Sequence, residues 1–135
     1  MPPYLREITP GDWSTDGQQL LLWQVYQAVD RFYLYDIASA AIAELRFPSG
    51  AYSGVYFGSN GEVFAEWEDS THPRQLIALG NKPEAHPRVI LSAGEVPQSR
   101  PWKSVIFTSS DGQEIQAWLG LPDGDGPFPT GVLKR

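Results

Sequence analysis

Apolar residues fall along this chain in short runs of β-branched, leucine and aromatic side chains, each closed by a turn-forming group. Gln18 to Tyr26 reads as a strand that returns from a tight turn at Thr15-Asp16-Gly17, where glycine accepts positive φ; Asp12 to Ser14 closes the short strand before it. Arg31 to Ile37 predicts a third strand and Ala41 to Phe47 a fourth, separated by Ala38-Ser39-Ala40 and ended by Pro48-Ser49-Gly50. Propensity alone would allow a helix over Ile37 to Leu45. The corresponding run Leu79 to Val89 carries Gly80, Pro83 and Pro87, which break helices, so a strand is expected in both places.

The same plan then repeats. Tyr52 to Phe57, the turn Ser59-Asn60-Gly61 and Glu62 to Trp67 predict a second hairpin, with further strands at Arg74 to Leu79 and Arg88 to Ser92 around a turn at Gly80 to Glu84. Asp16-Gly17 recurs as Asn60-Gly61 (60 − 16 = 44), and Trp23 as Trp67, Ala41 as Ala85 and Gly50 as Gly94 at the same offset. Apolar positions follow: Trp13 with Phe57, Leu20 with Phe64, Leu45 with Val89, Phe47 with Leu91. Residues 11–50 and 55–94 thus read as two copies of one module. A period of about 40–50 residues built from short strands is the mark of a propeller blade. The fold class expected is all-β, with two four-stranded blades forming a partial propeller over residues 1–95. One blade cannot bury both faces, so two blades point to part of a larger assembly.

Beyond Gly94 the pattern changes. Residues 96–103 read as a linker, since Pro97 and Pro101 disfavour regular structure. Residues 104–135 then hold one more hairpin: Ser104 to Ser109, the turn Asp111-Gly112, and Gln113 to Leu121. Trp118 follows Asp111 by seven residues, as Trp23 follows Asp16 and Trp67 follows Asn60. A loop, Pro122 to Pro129, leads to Thr130 to Leu133, which looks like the start of a further strand.

Composition narrows the function classes. The chain has 135 residues, 41% hydrophobic and 13% aromatic, enough for a packed core. A net charge of −6 leaves no basic stripe, so nucleic acid is not an expected partner. There are no cysteines, hence neither a disulfide framework nor a thiolate metal site; no metal or other cofactor is expected. The longest apolar run, Ile37 to Leu45, is interrupted by Ser39 and Glu44, and the stretch from Met1 to Glu7 lacks the apolar core of a signal peptide. A cytoplasmic protein with no membrane partner is the expectation.

The segment Val105 to Pro122 resembles one junction in the prolyl oligopeptidase family of serine peptidases, where the last propeller blade hands over to an α/β-hydrolase domain. Phe128-Pro129-Thr130-Gly131-Val132-Leu133 is similar to the approach to that domain's oxyanion-hole strand. Trp13-Ser14-Thr15-Asp16-Gly17 and Phe32-Tyr33-Leu34-Tyr35-Asp36 resemble the blade repeats of that family and of TolB-type propellers, and Phe64 to Leu76 resembles acylaminoacyl-peptidase-like members. The resemblance implies a non-catalytic propeller portion that gates short peptides toward a hydrolase domain. It departs from the family at the catalytic centre: the chain has no G-x-S-x-G nucleophile elbow, so no catalytic residue is expected within it, and a triad would lie beyond Arg135. The nearest string, Gly58-Ser59-Asn60-Gly61, has the wrong spacing. The alternative is a TolB-like module that binds protein partners without enzymatic activity.

Among individual residues, Glu66 and Glu68 flank Trp67 with Asp69 close by; in the family, propeller carboxylates hold a substrate's free amino group, and the plainer reading is a solvated cluster at a strand end. His72 and His86 each precede Pro-Arg and read as residues at strand starts. Trp23, Trp67 and Trp118 read as packing between repeats, Asp16, Asn60 and Asp111 as turn formers. Terminal blades with uncovered apolar faces are expected to favour self-association.

Overall fold

The computed structural model describes residues 7–80, 82, 84–97 and 99–133. The chain divides into two compact units, Met1–Gln98 and Ser99–Arg135. Among the described residues all regular structure is β: ten strands in three antiparallel sheets, none closed on itself, and no helix.

The first unit holds two four-stranded meanders. Strands β1 (Thr9–Trp13), β2 (Gln19–Tyr26), β3 (Val29–Asp36) and β4 (Ile42–Glu44) pair in chain order. Strands β5 (Ala51–Phe57), β6 (Val63–Glu68), β7 (Gln75–Leu79) and β8 (Arg88–Leu91) do the same. The sheets therefore span 9–44 and 51–91, and the limit placed at residue 55 falls inside β5. The fourth strand of the first sheet is three residues long rather than the seven from Ala41 to Phe47. The turn expected at Gly80 to Glu84 includes Asn81 and Pro83, and the linker includes Gln98, which lie outside the described residues, as do residues 1–6.

The three turns at Asp16, Asn60 and Asp111 are each set by the acid or amide and the glycine after it. The backbone N–H two residues after Asp16, Asn60 and Asp111 donates to the side-chain Oδ1, at 3.0, 3.1 and 3.3 Å. Gly17, Gly61 and Gly112 have φ of 69°, 80° and 83°, conformations that glycine adopts without a Cβ penalty. Asparagine and aspartate serve equally in this role because both offer a side-chain oxygen to the turn.

The turns differ in length, and this difference sets the packing. Ser14 N donates to Gln19 O, spanning five residues, whereas Gly58 N donates to Glu62 O, spanning four. The first ladder consequently begins at Trp13↔Leu20 and the second at Phe57↔Val63. Leu20, Leu22 and Gln24 hold the ladder places of Val63, Ala65 and Trp67, while Trp23 holds that of Glu66. A one-residue slip sends every side chain to the opposite face. The sequence match of Trp23 with Trp67 is thus a match in spacing, not in place; the extra residue in the first turn corrects it. Gly50 and Gly94 are likewise not equivalent, with φ of 157° and 83°.

The core forms where the sheets meet. Leu21, Phe32, Leu34 and Leu45 of the first sheet pack with Phe57, Val63 and Leu79 of the second, every one of them buried. Ala65, Trp67 and Ile77 extend the buried face of the second sheet against Phe47 and Tyr52. By ladder place, the first sheet's core face (Leu21, Phe32, Leu34) corresponds to Phe64, Leu76 and Ala78, which lie on the far face of the second. The two sheets pack head to tail, the front of one on the back of the next. Phe47, Tyr52 and Phe32 lock the join with edge-on ring contacts at 4.9 to 5.6 Å. Strand β1 runs beside β5, and Phe57 N donates to Asp12 Oδ2 at 2.8 Å across the gap.

The second unit contains one hairpin, β9 (Lys103–Thr108) and β10 (Glu114–Leu119). Its pairing puts Val105, Phe107, Ile115, Ala117 and Leu119 on one face, interrupted only by Lys103, with Ser104, Thr108, Glu114 and Gln116 on the other beside Ile106 and Trp118. Arg100 pairs with Asp123 at 2.8 Å. Thr130 to Leu133, expected to begin a further strand, forms none.

Candidate functional site

Strand β6 alternates between its two faces, so Glu66 and Glu68 point away from Trp67 and the core. Both reach Arg74 at the start of the next strand, at 3.9 and 3.4 Å. Ser53 Oγ also donates to Glu66 Oε2 at 2.9 Å. The two carboxylates are together, and one guanidinium neutralises half of their charge. With side chains 48% and 43% exposed, they form a solvated ion-pair cluster. On the same face Glu62 takes Arg88 through one oxygen and Asn60 Nδ2 through the other, and the Arg88 guanidinium in particular holds the Glu62 carboxyl below its ordinary value. The second sheet's far face therefore carries a stacked Tyr56–Phe64 pair between two groups of paired charges.

Asp69 organises the loop after β6. Its Oδ1 accepts from Thr71 N, Thr71 Oγ1 and His72 N, at 2.6 to 2.9 Å, and lies 3.0 Å from His72 Nδ1. Burial raises the Asp69 pKa, but these donors outweigh it and hold the carboxyl below its ordinary value. Thr71 Oγ1 and Asp69 address the same ring nitrogen of His72. A Ser/Thr-His-Asp relay needs them on opposite nitrogens. The group is a loop brace, with the His72 ring 5.2 Å from Trp67. His86 is exposed and far along the chain from it, at the approach to β8.

The three tryptophans have three different environments. Trp67 is 6% exposed and donates through Nε1 to Ser49 O at 3.1 Å. Trp23 is 40% exposed and donates to Asp30 Oδ1 at 2.8 Å, while Trp118 stands half exposed on the hairpin of the second unit. Of the three, Trp67 is the one buried between the sheets. Ser59 lies exposed on the second hairpin turn, with no histidine in its hydrogen bonds among the described residues.

A feature unmarked by any motif lies where β1 and β5 run side by side. A cavity of about 150 Å³ opens there, walled by Leu21, Trp23, Phe32, Tyr52 and Val55. Each inner strand carries a bulge, at Gly11 and at Ser53, and both bulged residues line the cavity. Bulges bend a strand away from its neighbour. The signal available in the sequence was an isolated glycine inside each strand pattern, Gly11 and Gly54.

Among the described residues no group of three or more histidine, aspartate or glutamate side chains is placed to hold a metal ion. No helix there is long and apolar enough to cross a membrane. No family model matches the chain, and no curated protein matches it either.

Proposed function

We propose that this chain is the propeller portion of a prolyl-oligopeptidase-family serine peptidase, screening short peptides by size before they reach an α/β-hydrolase domain outside it. The observation that carries the reading is the head-to-tail packing of two meanders with their first strands side by side. That is the relation between neighbouring propeller blades, in which each blade's front meets the next one's back. The hairpin β9–β10 supports it as the junction element, since a lone two-stranded hairpin with one apolar face needs a further layer to cover it. In this reading the chain supplies shape and exclusion and no nucleophile. Glu66 and Glu68 are the groups in the proposal that would face a substrate's amino group, in competition with Arg74.

The test is the coding DNA beyond the Arg135 codon, read in all three frames. The proposal expects a His-Gly-Gly run followed by G-x-S-x-G; an in-frame stop followed by unrelated sequence overturns it.

The second reading, a TolB-like binding module without catalytic partner, is favoured by one observation. The second sheet's far face is dressed with the Arg74 and Arg88 ion pairs, a polar surface of the kind that ends a stack of repeats.

A further inference from the structure

We infer that the cavity between β1 and β5 is a binding site for a single uncharged aromatic ring or a branched hydrocarbon group of similar size. Its walls are the side chains of Leu21, Trp23, Phe32, Tyr52 and Val55. The polar atoms attached to those walls already have partners. Trp23 Nε1 donates to Asp30, Tyr52 Oη donates to Pro48 O, and Ser53 Oγ donates to Glu66. No buried side-chain donor or acceptor among the described residues is left without a hydrogen bond. The side of a ligand lodged here meets carbon and ring faces, so hydrogen-bonding groups on that side would lose water without replacement. The class of ligand follows from that exclusion.

Size points the same way. An apolar cavity of about 150 Å³ accepts one benzene ring, and drug-sized ligands need at least twice that volume. The space is also maintained by the backbone. Gly11, the bulged residue of β1, stands opposite Leu21, and a Cβ built there would lie 3.7 Å from Leu21 Cγ, a wall of the cavity, so glycine at this position leaves open space that a larger residue would enter. Each of the two inner strands also carries a bulged residue, Gly11 and Ser53, in the lining.

This inference is independent of the peptidase reading, because it depends only on the walls of the cavity. The test is a titration of the full chain with toluene, and separately with benzylammonium, followed by NMR of the Leu21 and Val55 methyls and the Trp23 indole N–H. Toluene is expected to give saturable shifts confined to these groups, with benzylammonium at least several-fold weaker. Val55→Phe, which enlarges a wall residue, should weaken toluene at least tenfold while keeping a dispersed spectrum. Should that variant fail to fold, Gly11→Ala is expected to weaken binding several-fold on its own. Absence of saturable shifts up to the solubility limit of toluene overturns the site, as does unchanged binding by folded Val55→Phe. Benzylammonium binding as tightly as toluene overturns the ligand class, since it would mean that Asp30, beside Trp23, recruits charge.

Discussion

Trp67, on the second sheet, hydrogen-bonds the carbonyl of Ser49 in the loop that leaves the first, at 3.1 Å. The next residue, Gly50, lies so close that a Cβ there would collide with the Trp67 indole nitrogen and the Glu68 carbonyl oxygen. Sequence distance 18 is thereby closed by one bond and one absent side chain. The contact ties the exit of one sheet to the body of the next, and it has no counterpart at Trp23.

The two tryptophans should accordingly differ in mutational cost. Trp67→Ala is expected to lose about 3–5 kcal/mol, the usual range for emptying a buried aromatic site. Trp23→Ala, at a half-exposed position, should lose about 1 kcal/mol. Gly50→Ala should fall on the costly side because the backbone must move. Urea unfolding of the three variants measures this; equal costs for the two tryptophans would contradict the different burial.

The turn lengths give a second prediction. Gln18 is the extra residue of the first turn, so its deletion leaves Ser14 opposite Gln19 and the ladder unchanged. The expected cost is about 1 kcal/mol, for the bond from Ile37 N to Gln18 O that must be remade. Deleting Leu20 instead slips β2 by one residue and turns Leu21 out of the core, and that variant should not fold cooperatively. Circular dichroism melts of the two deletions distinguish them.

Asp12 bridges the inner strands by accepting from Phe57 N. Asp12→Ala leaves that N–H without its acceptor, and a loss of about 1–3 kcal/mol is expected. Asp12→Asn keeps an oxygen in place and should recover most of it. A thermal melt of the pair checks the prediction, and equal losses would assign the effect to charge rather than to the bond.

Acid should destabilise the fold. Donors to Asp16, Asp36 and Asp69, and the Arg88 guanidinium beside Glu62, hold these carboxyls below their ordinary values when folded. Between the lowered and ordinary values the unfolded chain binds more protons, so stability rises with pH across that window. It should be fully present above about pH 5 and fall progressively below about pH 4. Melting temperature measured from pH 7 to 2 tests the sign.

The existence and order of the strands were readable because turn chemistry is local. Asp-Gly and Asn-Gly mark their hairpins through one side-chain oxygen and one positive φ, whatever the rest of the fold does. Facing was not readable. It depends on whether a turn closes over four residues or five, and Asp16-Gly17-Gln18 looks the same as Asn60-Gly61-Glu62 until the hydrogen bonds are seen. The fourth strands misled for a related reason: Leu45 is buried at the join while Val89 and Leu91 lie exposed, because burial there follows a neighbouring sheet and not the repeat. The carboxylates Glu66 and Glu68 do lie together, but their pairing with Arg74 depends on the β6–β7 register and not on spacing along the chain. The cavity escaped because its walls come from strands about thirty residues apart and its polar atoms are spent on neighbours.

Methyl NOE spectroscopy tests the head-to-tail packing most directly. The account predicts contacts from the Leu21 and Leu34 methyls to those of Val63 and Leu79, all in the shared core. Contacts from Leu20 or Leu22 to that same set would mean that like faces meet, and would contradict both the register and the blade relation drawn from it.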